Sequence, residues 1–311
     1  MQPQLLPQGS SLLLAVSGGQ DSMALLALLQ DLAPLHGWSL SLWHGDHRWH
    51  DGSSRIAAEL NSWCQQRQLP LLVDEATPGE LPSEAKARQW RYERLEQRGR
   101  QAGADVVTGH TASDRAETML LQLARGSDLA GLAALPSVRP LSPKGPRLRR
   151  PLLHLQRDDT LQICLELALP IWEDPSNQSL EFARNRIRQA VLPVLEEIHP
   201  GSTQRMSDLA ERVSQVQDSQ TELSQMALGV LQTPAGLDRR NLGALSSATR
   251  RLLLAQWLRQ QGVPALPASQ LDELSRRLDN GAPGGAADLA GGWQLNWKGG
   301  ELVLQQREAE H

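Results

Sequence analysis

Ser17-Gly18-Gly19-Gln20-Asp21-Ser22 is the stretch of this 311-residue chain whose residue types imply chemistry most directly. It lies between an apolar run, Leu12 to Val16, and a helix-like run, Met23 to Leu32. Two successive glycines let backbone N–H groups approach an anion with no Cβ in the way, and the helix that follows adds unpaired N–H groups and the positive end of its dipole. The loop reads as a phosphate cradle. It lacks the lysine of the kinase and GTPase P-loop, and Asp21 stands in that place. A carboxylate beside phosphates repels them unless a divalent cation lies between, so the pattern implies magnesium. The competing reading is an ordinary strand-turn-helix corner.

Three further constellations follow. His44-Gly45-Asp46-His47 brings two imidazoles and a carboxylate together, as metal ligands, contacts to a nucleotide base, or a hydrogen-bonded turn. Spacing alone does not choose among these; proximity to the glycine loop favours His44 and His47 as part of a nucleotide pocket. In Glu84-Ala85-Lys86-Ala87-Arg88-Gln89-Trp90-Arg91-Tyr92, helical spacing puts Glu84, Arg88 and Arg91 on one side, where the arginines could hold phosphate or form a salt-bridged surface. For Arg94, Arg98 and Arg100 the surface reading is preferred. Gly109-His110-Thr111-Ala112-Ser113-Asp114-Arg115-Ala116-Glu117-Thr118 runs from a strand through a turn into a helix. Asp114 and Glu117 there would favour the helix dipole, and Asp114 together with Asp21 would also hold magnesium.

The elements that must position these groups alternate. Strand-like runs at Leu12–Val16, Ser39–Trp43, Leu71–Val73 and Asp105–Thr108 are each followed by a helix-like run, at Met23–Leu32, Ser54–Arg67, Ser83–Gln101 and Asp114–Arg125. Such alternation predicts an α/β fold, a parallel, doubly wound, Rossmann-like sheet with helices on both faces and ligands beyond the carboxyl ends of the strands. The polar constellations fall on that rim. Arg139 to Arg150, Pro-rich with five basic residues and no acidic ones, reads as an exposed, mobile loop. Helices are expected at Asp158–Leu169, Arg186–Ile198 and Arg205–Leu231. A smaller mixed helix/strand C-terminal domain follows, with helices near Thr249–Arg259 and Ser269–Leu278 and a hairpin around Lys298-Gly299-Gly300. The expected division is a catalytic domain over 1–200, a helical linker over 201–233 and a small domain over 234–311.

A formal net charge of −4 argues against a wholesale nucleic-acid coat and leaves local basic patches open. Cys64 and Cys164 lie too far apart for a CxxC motif and read as reduced thiols. The longest early apolar run is far too short for a signal peptide or a membrane span, which predicts a cytoplasmic protein without membrane partners.

The loop resembles the PP-loop of the N-type ATP pyrophosphatases, which cleave ATP between its α and β phosphates and adenylate a substrate. That motif, the His-x-Asp-His stretch, the Glu-Ala-x-Ala-Arg-x-x-Arg-Tyr helix, the Gly-His-x-x-x-Asp-x-x-Glu-Thr turn, Arg125-Gly126, Arg150-Pro151-Leu152-Leu153, Glu173-Asp174-Pro175-Ser176-Asn177 and Arg184-Asn185-Arg186-Ile187-Arg188 occur in the order seen in the tRNA(Ile)-lysidine synthetase family. The family usually carries paired aspartates in the Gly-His motif, and Ser113 here replaces the first. Many members are longer, with another tRNA-binding module, so this chain resembles a short form.

The resemblance implies ATP as co-substrate with Mg2+, tRNA(Ile) with a CAU anticodon and L-lysine as partners, and leaves a homodimer open. ATP would contact Ser17, Gly18, Gly19, Gln20, Asp21, Ser22, His44, His47, Gly109 and His110. Asp21 and Asp114 would hold the metal and, with Arg88 and Arg91, serve catalysis. Arg149, Arg150, Arg184, Arg186 and Arg188 would meet tRNA phosphates, the competing reading being solvated charge. The alternatives are a tRNA thiolase of the same superfamily and a non-catalytic nucleotide- or RNA-binding protein.

Overall fold

Leu12, Leu14 and Val16 point to one face of a strand and Leu13 and Ala15 to the other, and all five are apolar, as a strand covered on both faces requires. The structure, a computed structural model, describes residues 5–48, 52–77, 79–81, 83–172 and 179–306. The segment Glu173-Asp174-Pro175-Ser176-Asn177 lies outside them. The chain forms two compact units, Met1–Gln215 and Val216–His311.

In the first unit, strands β1 (Ser11–Ala15), β2 (Ser39–Asp46), β3 (Leu71–Glu75) and β4 (Asp105–Thr108) alternate with helices α1 (Gln20–His36), α2 (Ser53–Gln66), α3 (Glu84–Ala102) and α4 (Ala112–Ala124). Helix α5 (Leu129–Leu132) and strands β5 (Val138–Pro140) and β6 (Arg147–Arg149) come next. The sheet order is β3-β2-β1-β4-β6-β5, parallel throughout except for the β5–β6 pair. One core packs Leu12, Leu14 and Val16 against Met23, Leu26 and Leu29 of α1. On the other face Leu13 and Ala15 meet Trp43, Trp90 and Leu95. The order reverses between β1 and β4, so the loops leaving those strands diverge and open a crevice beyond their carboxyl ends.

The expected exposed loop from Arg139 to Arg150 is corrected: it is largely the β5–β6 pair. Val106 registers with Leu148 in the sheet, and Leu148 is fully buried. Arg149 is buried beside Asp105, with its Nη1 donating to the carbonyl of Leu5 at 2.6 Å, and Arg150 is buried with its Nη1 on the carbonyl of Pro136 at 2.6 Å. Counting basic residues mistook inward-facing arginines for surface charge.

Helix α6 (Arg157–Glu166) precedes a nearly continuous helical run of α7 (Ala183–Arg186), a π-helical turn (Ile187–Val191) and α8 (Leu192–Ile198). Helix α9 (Ser202–Leu231) is unbroken, and the division between the two units falls within it. The second unit holds an antiparallel sheet, β7-β10-β9-β8, built from β7 (Leu237–Asp238), β8 (Gly285–Asp288), β9 (Trp293–Lys298) and β10 (Glu301–Gln306). Helices α10 (Arg239–Gly243), α11 (Ser247–Gln260) and α12 (Ala268–Arg277) complete it, around Leu237, Leu254, Leu274, Leu295 and Trp297. The hairpin read at Lys298-Gly299-Gly300 is β9–β10; β7 and β8 were too short and too poor in β-branched residues to be read. Among the described residues no helix is long and apolar enough to cross a membrane.

Candidate nucleotide and active site

A pocket of about 390 Å³ opens in the first unit at the crevice between β1 and β4. Its floor is the glycine loop. Gly18 has φ +88°, a conformation L side chains rarely adopt, and its carbonyl accepts from the backbone N–H of Trp172 at 3.0 Å. Gly19 precedes α1 in an extended conformation, and no side chain among the described residues caps the helix, which leaves first-turn N–H groups for an anion. Ser22 laces the loop: its Oγ donates to the Gly19 carbonyl at 2.8 Å and accepts from the Ser17 N–H at 3.1 Å. Gly109, at the end of β4, lies so close to α1 that a Cβ there would sit 2.7 Å from the Asp21 carbonyl oxygen.

Asp21 projects from the first turn of α1. Thr160 Oγ1 donates to its Oδ1 at 2.5 Å, and Arg157 Nη1 lies 3.3 Å from its Oδ2. Burial raises its pKa against the opposing charge of Arg157, and the charge of Asp114 raises it further. On β2, the Nδ1–H of His44 donates to the carbonyl of Val16 at 2.8 Å, and burial lowers the pKa of this imidazole. Asp46 accepts from the Arg48 N–H and the Ser54 hydroxyl, so it shapes the turn after β2. His47 lines the pocket with its ring edge-on to Trp90.

Glu84, Arg88, Arg91 and Tyr92 of α3 all line the pocket. Arg94 instead lies over Trp90, Arg98 pairs with Asp74 and Arg100 with Glu96, as surface groups. Burial pushes the Tyr92 phenol up, but the guanidinium charges of Arg88, Arg150 and Arg91 outweigh it and bring it down to about 8. Burial brings Arg150 down to about 10 and lowers Arg91 as well.

Asp114 closes a capping box, its Oδ2 accepting the Thr111 N–H at 2.8 Å, while its Oδ1 faces Arg184 Nη2 at 2.7 Å and Arg188 Nη2 at 3.3 Å. Glu117, fully buried, accepts from Arg184 Nε and Arg188 Nε at 2.6 Å each. Burial alone would raise the pKa of Asp114, yet the charge of Arg184 and the Thr111 N–H hold it well below the usual carboxylate range. The same carboxylates hold Arg184 above the usual guanidinium range despite burial. His110 accepts or donates at Nδ1 to Thr108 Oγ1 at 2.8 Å, and burial, with the charge of Arg150, lowers its pKa well below the usual imidazole range.

Of the residues singled out from sequence, Ser17, Gly19, Gln20, Asp21, Ser22, His44, His47, Arg88, Arg91, Gly109, His110 and Asp114 line this one pocket, and Gly18 shapes its floor. The five arginines read as RNA contacts divide. Arg184 and Arg188 line the pocket in ion pairs, Arg186 is exposed on α7, and Arg149 and Arg150 are buried in internal contacts. For Arg149 and Arg150 the RNA-facing expectation is corrected: burial beside the sheet removes them from any RNA surface. The reading also missed Arg157, Trp172 and Phe182 as pocket residues. Arg157 could have been found from Gln156-x-x-Asp159, a capping box that marks it as first in its helix.

A magnesium site with Asp21 fits the pocket. This ion is usually held by one or two carboxylates together with substrate phosphates, and the ionised form of Asp21 is disfavoured both by burial and by Asp114. Asp114 fits less well, since two guanidinium groups, Arg184 and Arg188, and the Thr111 N–H already hold it, whereas Asp21 has one hydroxyl and one longer guanidinium contact. Among the described residues no group of three or more His, Cys, Asp or Glu side chains could hold a metal by itself.

The chain matches the family model of the PP-loop domain over residues 2–195 and that of the TilS substrate binding domain over residues 237–309. It is 64% identical to a tRNA(Ile)-lysidine synthase of Parasynechococcus marenigrum, over 99% of this chain and 93% of that one. It is 43% identical to the tRNA(Ile)-lysidine synthase of a Prochlorococcus marinus strain, over 96% and 91%. Among solved structures, the U34-tRNA thiolase NcsA from Methanococcus maripaludis with its [4Fe-4S] cluster superposes with a TM-score of 0.58 at 18% identity, over 68% of this chain and 73% of that one, a likeness of fold. With a phosphate-loop pocket in one unit, a substrate-binding module in the other and relatives matched along nearly their full lengths, this chain belongs to the tRNA(Ile)-lysidine synthase family.

Proposed function

We propose that the chain joins the ε-amine of lysine to C2 of the wobble cytidine of tRNA(Ile) with a CAU anticodon, with ATP as co-substrate. The cytosine C2 carbonyl oxygen attacks the α-phosphorus of ATP and expels diphosphate. The lysine amine then adds at C2, the C–O bond to AMP breaks and the amine loses a proton. A ring carbonyl oxygen leaves poorly until esterified to AMP, so the protein's work is to neutralise triphosphate charge and to align oxygen with phosphorus.

The glycine loop and the first turn of α1 offer N–H groups to the phosphates, and Arg88 and Arg91 bring positive charge to the same pocket. Neutral His44 and His110 offer hydrogen bonds without adding net charge. Asp21, with Asp114 behind it, would hold magnesium, which when bound screens carboxylate from phosphate. Arg186, exposed on α7, and the second unit with its match to a substrate-binding module are the surfaces proposed to meet the tRNA. The wobble base lies in a single-stranded loop, so extruding it costs less than from a duplex.

The observation that carries this reading is the convergence of the glycine loop, Asp21, Arg88, Arg91 and His110 on one pocket. The test is diphosphate release from ATP and magnesium with unmodified tRNA(Ile) (CAU) against elongator methionine tRNA, each with and without lysine, followed by mass analysis of the nucleosides. Lysine at the wobble cytidine of the isoleucine tRNA alone is expected, and Asp21→Ala should slow adenylation by about a hundredfold or more. Diphosphate release with no lysine adduct on either tRNA would overturn the substrate assignment.

A further inference from the structure

The start of α6 is fastened to the start of α1. Gln20 Nε2 donates to the Arg157 carbonyl at 2.7 Å and to Thr160 Oγ1 at 3.1 Å, and Cys164 Sγ lies 3.4 Å from the Gln20 carbonyl. Thr160 is fully buried and donates to Asp21 Oδ1. These contacts set the backbone of Arg157 against the phosphate loop. Its guanidinium lines the pocket with about a third of the side chain exposed, and among the described residues its ion-pair partner is Asp21, at 3.3 Å.

The neighbouring arginines are engaged differently. Arg184 and Arg188 each reach Glu117 at 2.6 Å as well as Asp114, so their donors are committed to buried carboxylates. Arg157 has a fork of five donors and, among the described residues, a single, longer ion-pair contact, which covers the Asp21 oxygen that Thr160 does not hold. A guanidinium fork matches a phosphate bidentately and more strongly than one stretched carboxylate contact.

We propose that Arg157 is a contact for the β- and γ-phosphates of ATP, exchanging its pairing with Asp21 for the polyphosphate when nucleotide binds. Thr160 is the positioning residue of the exchange: it keeps Asp21 in place by Oδ1 while Oδ2 is released. The inference rests on the reading that this pocket takes ATP.

Calorimetric titration of the full chain with ATP and with AMP, with magnesium and without tRNA, tests it in wild type, Arg157→Gln and Arg157→Lys. Loss of a charge-assisted bond should raise the Kd for ATP about ten- to a hundredfold in Arg157→Gln, with AMP affinity unchanged within about twofold. Arg157→Lys, which keeps the charge and loses the fork, should fall between. Unchanged ATP affinity in Arg157→Gln would overturn the proposal, and so would equal losses for ATP and AMP, which would mean a disturbed loop. A wild-type chain that binds no ATP would instead overturn the nucleotide reading itself. Arg157→Lys also guards against misfolding, since a folded Arg157→Lys chain that binds ATP no better than Arg157→Gln would show that the charge alone holds no phosphate, and one with wild-type ATP affinity would refute a role for the fork.

Discussion

Gly109→Ala adds one methyl group where β4 meets α1, and its consequence can be worked from distances. The new Cβ would lie 2.7 Å from the Asp21 carbonyl oxygen, 2.9 Å from its carbonyl carbon and 3.1 Å from the Ser22 nitrogen, all backbone atoms. Ordinary contact begins near 3.4 Å, so the strand end and the helix start must separate by about 0.7 Å. Overpacking of this kind costs about 1–3 kcal/mol, and a misplacement near 1 Å can cost about a hundredfold in rate. Because Asp21 and Ser22 belong to the phosphate loop, the displacement falls on the groups that hold the nucleotide. The expected result is a fall of about thirty- to a hundredfold in tRNA-dependent diphosphate release. The melting temperature should drop by about 2–4 °C for each kcal/mol.

Gly126→Ala is the control. That residue has φ +69°, and an added methyl group there would meet nothing within 4 Å, so the variant should lose stability through backbone strain alone and keep its rate. If Gly109→Ala instead kept its rate within about twofold while melting no lower than Gly126→Ala, the close approach of β4 to α1 would not be what places Asp21.

Asp114→Asn should melt lower at pH 7 and lose less on acidification. The carboxylate is held below its ordinary range, so its stabilisation is complete above about pH 3.9 and is lost as pH falls from there through the folded value; a wild-type melting curve flat from pH 5 to 2 would refute this. His110, lowered by burial, takes up its proton more readily in the unfolded chain, so stability should decline as pH falls below about 6.5; thermal melts of His110→Gln should show a shallower decline between pH 6.5 and 5. Arg184→Gln should cost about 1.5–3 kcal/mol, because it takes one of two guanidinium partners from the fully buried Glu117 while Arg188 remains, and urea unfolding would measure it. The Cys64→Ser, Cys164→Ser double variant should retain activity, since both thiols are buried and burial raises their pKa values; complete loss of turnover with a folded chain would favour sulfur chemistry.

The alternating half of the chain was legible because strands covered on both faces are short continuous apolar runs and helices between them are long. The strand ends could be located to within three residues, and with them the rim that carries Ser17–Ser22, His44 and Gly109-His110. Arg149 and Arg150 were misread because charge counted along a sequence says nothing of direction. Both face inward, where Asp105 and the carbonyls of Leu5 and Pro136 satisfy them. Asp114 was legible as a pocket residue but not as the partner of Arg184 and Arg188, since a pairing across about 70 residues leaves no local signal. Trp172 was invisible for the same reason: its part is played by a backbone N–H, which every residue except proline possesses.

That Trp172 tether, with Gln20 to Arg157 and Thr160, spans sequence separations from 137 to 154 residues. The phosphate loop leaves the ribosome well over a hundred residues before the segments that complete it. Until α6 and, after it, Trp172 have been synthesised, Asp21 lacks Thr160 and Gly18 lacks the N–H that its carbonyl accepts. A nascent chain ending before residue 157 would carry the whole glycine motif without its supports, so nucleotide affinity should emerge late in synthesis, as a step separate from the appearance of the first parallel strands.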